Sequence, residues 1–382
     1  MVRIASYNVE NLFARPKAFV PQNWSEGRPI LDAYHRASDL MAKDTYGQAD
    51  RQEMKDLLVQ LDIYSRNSAG AIRRKRSPDP RWAWLRKNRG TFDSEPTDTS
   101  QDIEITASGR GAWIGWLELA VAQINEAGTR TTARAIAEVN ADIMAVVEAE
   151  DRPSLVRFNK ELLNGLYKHV MLVDGNDERG IDVGILTKPG FEIRSIRSHV
   201  DARDDIGIIF SRDCAQYEIA TPGGQTIHVL VNHFKSQSGG GGAKRKRQAA
   251  EVRRIADRLA AEGKHAVVLG DLNEGPATTG SPAENLAPLL ENNSPLVDCF
   301  SLPGFDPGPK PGTFDTCSLR NRFDYIFLTH SLVPSFQGGG LFRKGLWGSR
   351  ATRPTAWDTY PEMTQSVQQA SDHAVVSVDL GV

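Results

Sequence analysis

Short apolar runs rich in β-branched residues alternate along most of this chain with polar breaks, and the breaks carry the chemistry. Val2–Val9 reads as a strand that closes on the triplet Asn8-Val9-Glu10. After Thr131 the pattern predicts a helix over Thr131–Val139, with Ala135, Ile136 and Val139 at helical spacing, then a strand over Asp142–Val147 ending at Glu148. Further β-rich runs follow at Ile181–Leu186, Thr226–Val231 and Ala266–Leu269. Between the last two, Ala249, Val252, Ile255, Ala256 and Leu259 form the apolar stripe of a helix over Ala243–Ala261. Tyr325–Leu328 and Ala374–Leu380 supply two late strands. Many strands with a few interposed helices predict a two-sheet sandwich flanked by helices, in the α/β or α+β class.

From Pro16 to Gly128 the character changes. Two helical patterns, Ala37–Leu61 and Trp113–Asn125, stand on either side of a basic stretch containing proline. The expectation is one catalytic domain over residues 1–382 with a helical, partly basic insertion at 16–128. Gly239–Gly242 and Gly338–Gly340 read as mobile loops.

Composition narrows the class. At 40% hydrophobic and 25% charged residues, the chain can bury an extensive core, which excludes global disorder. A net charge of −2 means that affinity for a polyanion must come from local patches or a metal. Cys214, Cys299 and Cys317 are scattered and odd in number, without zinc-type spacing, so a reducing compartment is expected. The start of the chain lacks a basic region followed by an apolar one, and no apolar stretch reaches the roughly 18 residues of a spanning helix. A cytoplasmic protein is the expectation. The sequence leaves the oligomeric state open, and a monomer is compatible with it.

The polar breaks suit metal-assisted cleavage of a phosphoester. That chemistry needs a bound cation, an activated water and a donor for the leaving oxygen. Mg²⁺ and similar hard cations take carboxylate oxygens, which Glu10 and Glu148 offer at strand ends. Asp271 and Asn273, two apart on an extended segment, are expected to face one phosphate from the same side. His373 has the ordinary pKa of an acid–base group, and Asp324 is placed to fix its tautomer. Asp372 faces away from His373 on an extended segment, so a bend is required to bring it to a metal.

Six strings then carry a resemblance. Tyr7-Asn8-Val9-Glu10, Val147-Glu148, Val231-Asn232-His233, Gly270-Asp271-Leu272-Asn273, Arg322-Phe323-Asp324-Tyr325-Ile326 and Ser371-Asp372-His373 occur in this order. Together they resemble the endonuclease/exonuclease/phosphatase superfamily, which includes deoxyribonuclease I-like and exonuclease III-like enzymes. The resemblance covers about residues 1–12 and 130–382. It implies a four-layer sandwich of two mixed β-sheets flanked by helices, and a Mg²⁺ or Mn²⁺ cofactor. It also implies roles: Glu148 as principal metal ligand, Glu10 and Asp372 completing the metal environment, and Asn8 at the metal and phosphate. Asp271 would activate or orient water, Asn273 would hold phosphate, and His373 oriented by Asp324 would stabilise the transition state or transfer a proton. His233 stands where the deoxyribonuclease-like branch keeps a second histidine, a candidate acid for the leaving group. Where many relatives carry a phosphate-facing tyrosine, this chain has Arg179-Gly180-Ile181-Asp182. Arg179 as a phosphate clamp with Asp182 orienting a neighbour, or a plain salt bridge, both remain open there.

Two basic segments are also open. Residues 72–89 contain Arg73, Arg74, Lys75, Arg76, Arg81, Arg86, Lys87 and Arg89 with Trp82 and Trp84 interleaved. They fit nucleic-acid contact or a solvated loop. Lys244-Arg245-Lys246-Arg247 opens a helix, where a basic start opposes the dipole, so it reads as a phosphate contact or a solvated face. The expected function is a metal-dependent phosphodiesterase acting on nucleic acid, DNA rather than RNA, as an endonuclease. The alternative within the same superfamily is a phosphatase or phosphodiesterase for a lipid headgroup, an inositol phosphate or a nucleotide.

Overall fold

A computed structural model describes residues 1–12, 17–19, 24–77, 80–121, 127–237, 240–348 and 355–382. The chain divides into two compact units, Met1–Phe13 with Ile124–Val382, and Ala14–Gln123.

In the first unit we number the principal strands β1 (Val2–Leu12), β2 (Ile143–Ala149), β3 (His169–Val173), β4 (Asp182–Thr187), β5 (Glu192–Arg197), β6 (Cys214–Ala220), β7 (Thr226–His233), β8 (His265–Asp271), β9 (Leu296–Asp298), β10 (Phe305–Asp306), β11 (Asp324–Thr329), β12 (Phe336–Phe342) and β13 (Val375–Leu380). One sheet has the order β10-β12-β13-β1-β2-β4-β3 and the other β5-β6-β7-β8-β11-β9. Both are mixed, because β1 pairs in parallel with β2 and β7 with β8 while most other neighbours are antiparallel. The facing sides of the sheets interlock through Ile4, Ala145, Val147 and Val376 against Val229, Val231, Leu269 and Ile326.

Helices cover the outer sides. The helices α1 (Ala127–Val139) and α2 (Arg152–Leu162) bury Ala135, Ile136, Leu155 and Phe158 against Tyr7, Met144 and Val146. Asp151 caps α2 by accepting the Ser154 N–H at 2.7 Å, with Pro153 in the first turn. The helix α3 (Gly242–Ala261) packs Ala249, Val252, Ile255, Ala256 and Leu259 onto Leu230, Val268 and Phe327. This is the expected four-layer sandwich. A strand was missed at Gly338–Gly340, which lies inside β12 and is not a loop. A side chain at Gly339 would sit 2.7 Å from the Ser377 carbonyl, so glycine there permits close strand pairing and is not a sign of mobility. Of the other glycine run, Gly239 lies outside the described residues, and Gly242 begins α3.

The second unit corrects the helical reading of the insertion. Ala37–Leu61 is two helices, Trp24–Met41 and Gln48–Gln60, parted at an extended Gly47 that caps the second. Trp113–Leu119 is a strand, because Trp113, Gly115 and Leu117 are buried while Ile114 and Trp116 are exposed, a period of two. The end of that predicted helix, 122–125, lies outside the described residues. The strand pairs antiparallel with Ala83–Gly90, and two shorter strand pairs complete the unit around Leu58, Tyr64, Phe92 and Ile103. Among the described residues of the chain, no helix is long and apolar enough to cross a membrane.

Candidate active site

Nine of the eleven predicted site residues converge at one edge of the sandwich, and strand ends put them there. Asn8 and Glu10 lie near the carboxyl end of β1 and Glu148 near that of β2, while His233 ends β7 and Asp271 ends β8. Asp324 begins β11 as the register partner of Asp271. Gly270, at φ 130°, is what lets β8 lie against β7, since a Cβ there would fall 2.0 Å from the Asn232 carbonyl oxygen. Asn232, on the opposite side of β7, donates to the Leu230 carbonyl at 2.9 Å and stays structural.

At the centre lies Asp271, 2% exposed. Its carboxylate accepts from Asn8 Nδ2 at 3.2 Å, from Asn273 Nδ2 at 3.0 Å and from the Asn273 backbone N–H at 2.8 Å. Asn273 reaches it through a local turn with φ 54°, so the expected proximity holds while strand alternation is not its cause. His373 Nδ1 pairs with Asp324 Oδ2 at 2.7 Å, and its Nε2 stands 3.9 Å from Asp271 and 3.5 Å from Asn8 Nδ2. His233 Nε2 is 3.7 Å from both Asp271 and Glu148. Asp372 lies at a bend, which turns its carboxylate to within 3.8 Å of His373 Nε2.

Electrostatics divide the two histidines. Burial alone would lower the His373 imidazole, but the adjoining Asp324 carboxylate overrides it and holds His373 well above its ordinary value. Burial, reinforced by the positive charges of Arg212 and His373, drives His233 well below its own. The surroundings thus favour the protonated form of His373 and the neutral form of His233. Burial also raises Asp271, with His373 opposing and Asp324 adding to the shift.

The carboxylates crowd one another. Partial desolvation of Glu10, which keeps surface exposure, and the Asp372 charge push its carboxyl up to about 7. Burial raises Glu148 and Asp372 as well. Glu10 accepts from Gln369 Nε2 at 3.0 Å beside a cleft of about 420 Å³ that Phe314, Trp347 and Asp372 also line. These are hard oxygen donors whose mutual repulsion a cation would relieve, so the residues present fit a divalent ion. Asp271, Asp324 and His373 also lie close enough together to hold one. Glu10, Glu148 and Asn273 adopt left-handed φ of 49°, 68° and 54°, an uncommon conformation for side-chain-bearing residues.

The remaining two predictions, Asp182 and Arg179, turn out differently. Asp182 is buried and accepts the Gly175 N–H at 2.7 Å; desolvation and three nearby acids raise it to about 6. Arg179 is exposed and bound bidentately by Asp177 at 2.9 and 3.0 Å, within electrostatic reach of Glu148. Asn8, expected at the phosphate, faces Asp271 and also donates toward Glu148. Arg322, two residues before Asp324, pairs with Asp298 between the rings of Phe300 and Tyr325.

Sequence reasoning missed Arg212, Asp177 and the role of Ser371. Arg212 is 3% exposed, pairs with Asp177 at 2.9 Å, and acts on His233, Glu148 and Asp271. Its signal was faint: a polar pair, Arg212-Asp213, preceding a strand that the pattern did not reveal. Ser371 Oγ donates to the Asn8 carbonyl at 2.6 Å and accepts the His373 N–H at 2.9 Å, tying the imidazole to β1.

The family model described as Endonuclease/Exonuclease/phosphatase family matches residues 89–295, just over half of the chain. Comparison with curated proteins gives no match. Among solved structures, a mannosyl-6-phosphatase from Bacteroides thetaiotaomicron is similar at 15% identity and TM-score 0.48, covering 66% of this chain and 91% of that one. Truncated Caenorhabditis elegans TDP2 is similar at 20% identity and TM-score 0.45, covering 66% and 89%. The human nocturnin catalytic domain with bound sulfate is similar at 14% identity and TM-score 0.46, covering 66% and 86%.

Proposed function

The chain belongs to the endonuclease/exonuclease/phosphatase family, whose members hydrolyse phosphoester bonds, and from that premise we propose a divalent-metal-dependent phosphodiesterase that cleaves nucleic acid endonucleolytically, DNA in preference to RNA. The observation that carries the reading is the charge balance of the site. Three crowded carboxylates call for a cation, while Arg179 and Arg212, the arginines acting on Glu148 and His233, share the one carboxylate of Asp177 and leave a single net positive charge. Such a site suits the single negative charge of a diester better than the two of a terminal phosphate.

Glu148, Glu10 and Asp372 would hold Mg²⁺ or Mn²⁺, which supplies charge neutralisation and acidification of water. Asp271 orients and deprotonates the attacking water, its raised affinity for a proton suiting a base. Asn8 and Asn273 present amide donors to a phosphoryl oxygen beside it. His373, kept protonated by Asp324, stabilises the charge of the pentacovalent transition state. His233, neutral at the outset, is better suited to accept a proton than to donate one, so protonation of the leaving oxygen falls to His373.

The test is a substrate panel of supercoiled plasmid, linear duplex, single strand, RNA and a small phosphomonoester. Plasmid nicking with Mg²⁺ or Mn²⁺ is expected, lost in EDTA and in Asp271→Ala or His373→Ala. Intact DNA with every metal, alongside release of phosphate from the monoester, would instead establish the phosphatase alternative.

A further inference from the structure

The basic tract of the second unit is largely neutralised within that unit. Arg74 and Lys87 pair with Asp93, Lys75 with Asp62 at 2.6 Å, Arg73 and Arg76 with Glu95 at 3.7 and 3.6 Å. What remains is the outer face of the two-stranded ribbon Ala83–Gly90 and Trp113–Leu119. Its inner face buries Ala83, Trp113 and Leu117 in the unit's core, with Leu85 packed beside them. Its outer face carries two of the seven large hydrophobic side chains that stay exposed among the described residues, Ile114 at 46% and Trp116 at 52%.

The register sets an alternating row on that face. Arg86 stands opposite Trp116 and stacks its guanidinium 4.7 Å from the ring of Trp84, two residues back on its own strand. Arg89, past a bulge, stands opposite Ile114 and has no carboxylate partner among the described residues. Glu118 is the one acid on this face and pairs with Arg86 at 2.8 Å. Exposed side chains of this kind, two apart on one short strand, offer apolar contact to a partner. Flat rings next to guanidinium groups fit nucleobases beside a phosphate backbone, a combination tolerant of base identity.

Resting on the nuclease reading above, we propose that this ribbon face binds an unpaired nucleic-acid strand, with a base stacked on Trp116 and backbone phosphate at Arg89. Paired bases offer no free face to Trp116, so a duplex is the poorer ligand.

The test uses the full chain in EDTA, where no cleavage occurs, and a labelled oligothymidylate of about 15 nucleotides read by fluorescence anisotropy. Trp116→Ala should weaken binding roughly tenfold and Trp116→Phe should restore most of it. Arg89→Ala should weaken binding and flatten the salt dependence by roughly 0.7 in log–log slope. Cleavage of a small phosphodiester by these variants should match the parent. The proposal is overturned if Trp116→Ala binds as the parent does, if a duplex of equal length binds equally well, or if Trp116→Ala changes only self-association in sedimentation. Oligonucleotide binding that depends on Trp116 without any DNA cleavage would uphold the ribbon and remove the nuclease reading, so the two failures are separable.

Discussion

Replacing Asp324 by Asn tests the hinge of the site with the smallest change of shape. The carboxylate is fully buried and its Oδ2 lies 2.7 Å from His373 Nδ1, in turn 6% exposed. An amide can still accept the Nδ1 hydrogen but no longer carries the charge that opposes burial. His373 should then titrate at lower pH and enter the reaction neutral. Hydrogen bonds to charged partners contribute about 1.5–3 kcal/mol. If that difference is expressed at the transition state, kcat/KM should fall by roughly ten- to 150-fold with KM little changed. Stability should follow the same sign. The folded pKa of His373 is raised, so its stabilising contribution is complete below the ordinary imidazole value and is lost as pH rises through the raised one. The melting difference between parent and Asp324→Asn should therefore be largest below the ordinary imidazole range and shrink as pH rises through the raised value. Nuclear magnetic resonance titration of the His373 ring, with rates across the same pH range, reads both effects. An unchanged kcat/KM together with an unchanged His373 titration would refute the role of the pair.

Other substitutions probe separate links. Glu148→Gln should weaken Mn²⁺ binding by at least about tenfold in calorimetry while circular dichroism stays unchanged, since it removes charge but little volume. Gly270→Ala should cost about 3 kcal/mol or more in denaturant unfolding, because the new Cβ collides with the Asn232 carbonyl at a φ of 130°. Asp182→Asn should raise the melting temperature by a few degrees at pH 8 and not at pH 4. The carboxyl titrates at about 6 in place of its ordinary 3.8, so its ionisation costs stability as pH rises through that interval, up to about 3 kcal/mol, while the amide oxygen still accepts the Gly175 N–H. An equal melting temperature at both pH values would show that Asp182 is ionised without penalty.

The sandwich was legible because its central strands are apolar throughout, as Val267, Val268 and Leu269 are, and a strand buried on both faces leaves that mark whatever surrounds it. The strands that escaped notice include the buried interior strand Cys214–Ala220. Glu192–Arg197 is mostly exposed and charged, and Phe336–Phe342 carries three glycines whose value lies in close pairing, which sequence alone does not distinguish from flexibility. The acids, amides and imidazoles of the site were legible for a similar reason, since a polar residue abutting an apolar run has few structural motives. Arg212 was not, because its significance comes from Asp177, 35 positions away in the chain yet 2.9 Å away in space. The insertion misled where Trp113–Leu119 was given a helical period, although its alternation of buried and exposed residues is that of a ribbon.

Strand direction explains why the functional residues sit where they do in the sequence. β1 and β2 run in parallel in one sheet, β7 and β8 in the other, and all four bring their carboxyl ends to the site. Accordingly Asn8, Glu148, His233 and Asp271 each follow an apolar run. β11 and β13 run antiparallel to those neighbours, so they must contribute their amino ends. Asp324 is the first residue of its strand, and His373 stands two residues before Val375. A polar residue after a run in one strand and before it in the next is thus the mark of one pocket served by strands of opposite sense. Near those carboxyl ends Glu10 and Glu148 lie at irregularities in the strand pairing and Asn273 lies just past β8, and there all three take left-handed conformations. Each such residue costs on the order of 1–3 kcal/mol, sustained only because the two sheets fix the strands around it. The rigidity of the sandwich and the strain at its edge are therefore one device, which holds acids and imidazoles together against their own repulsion.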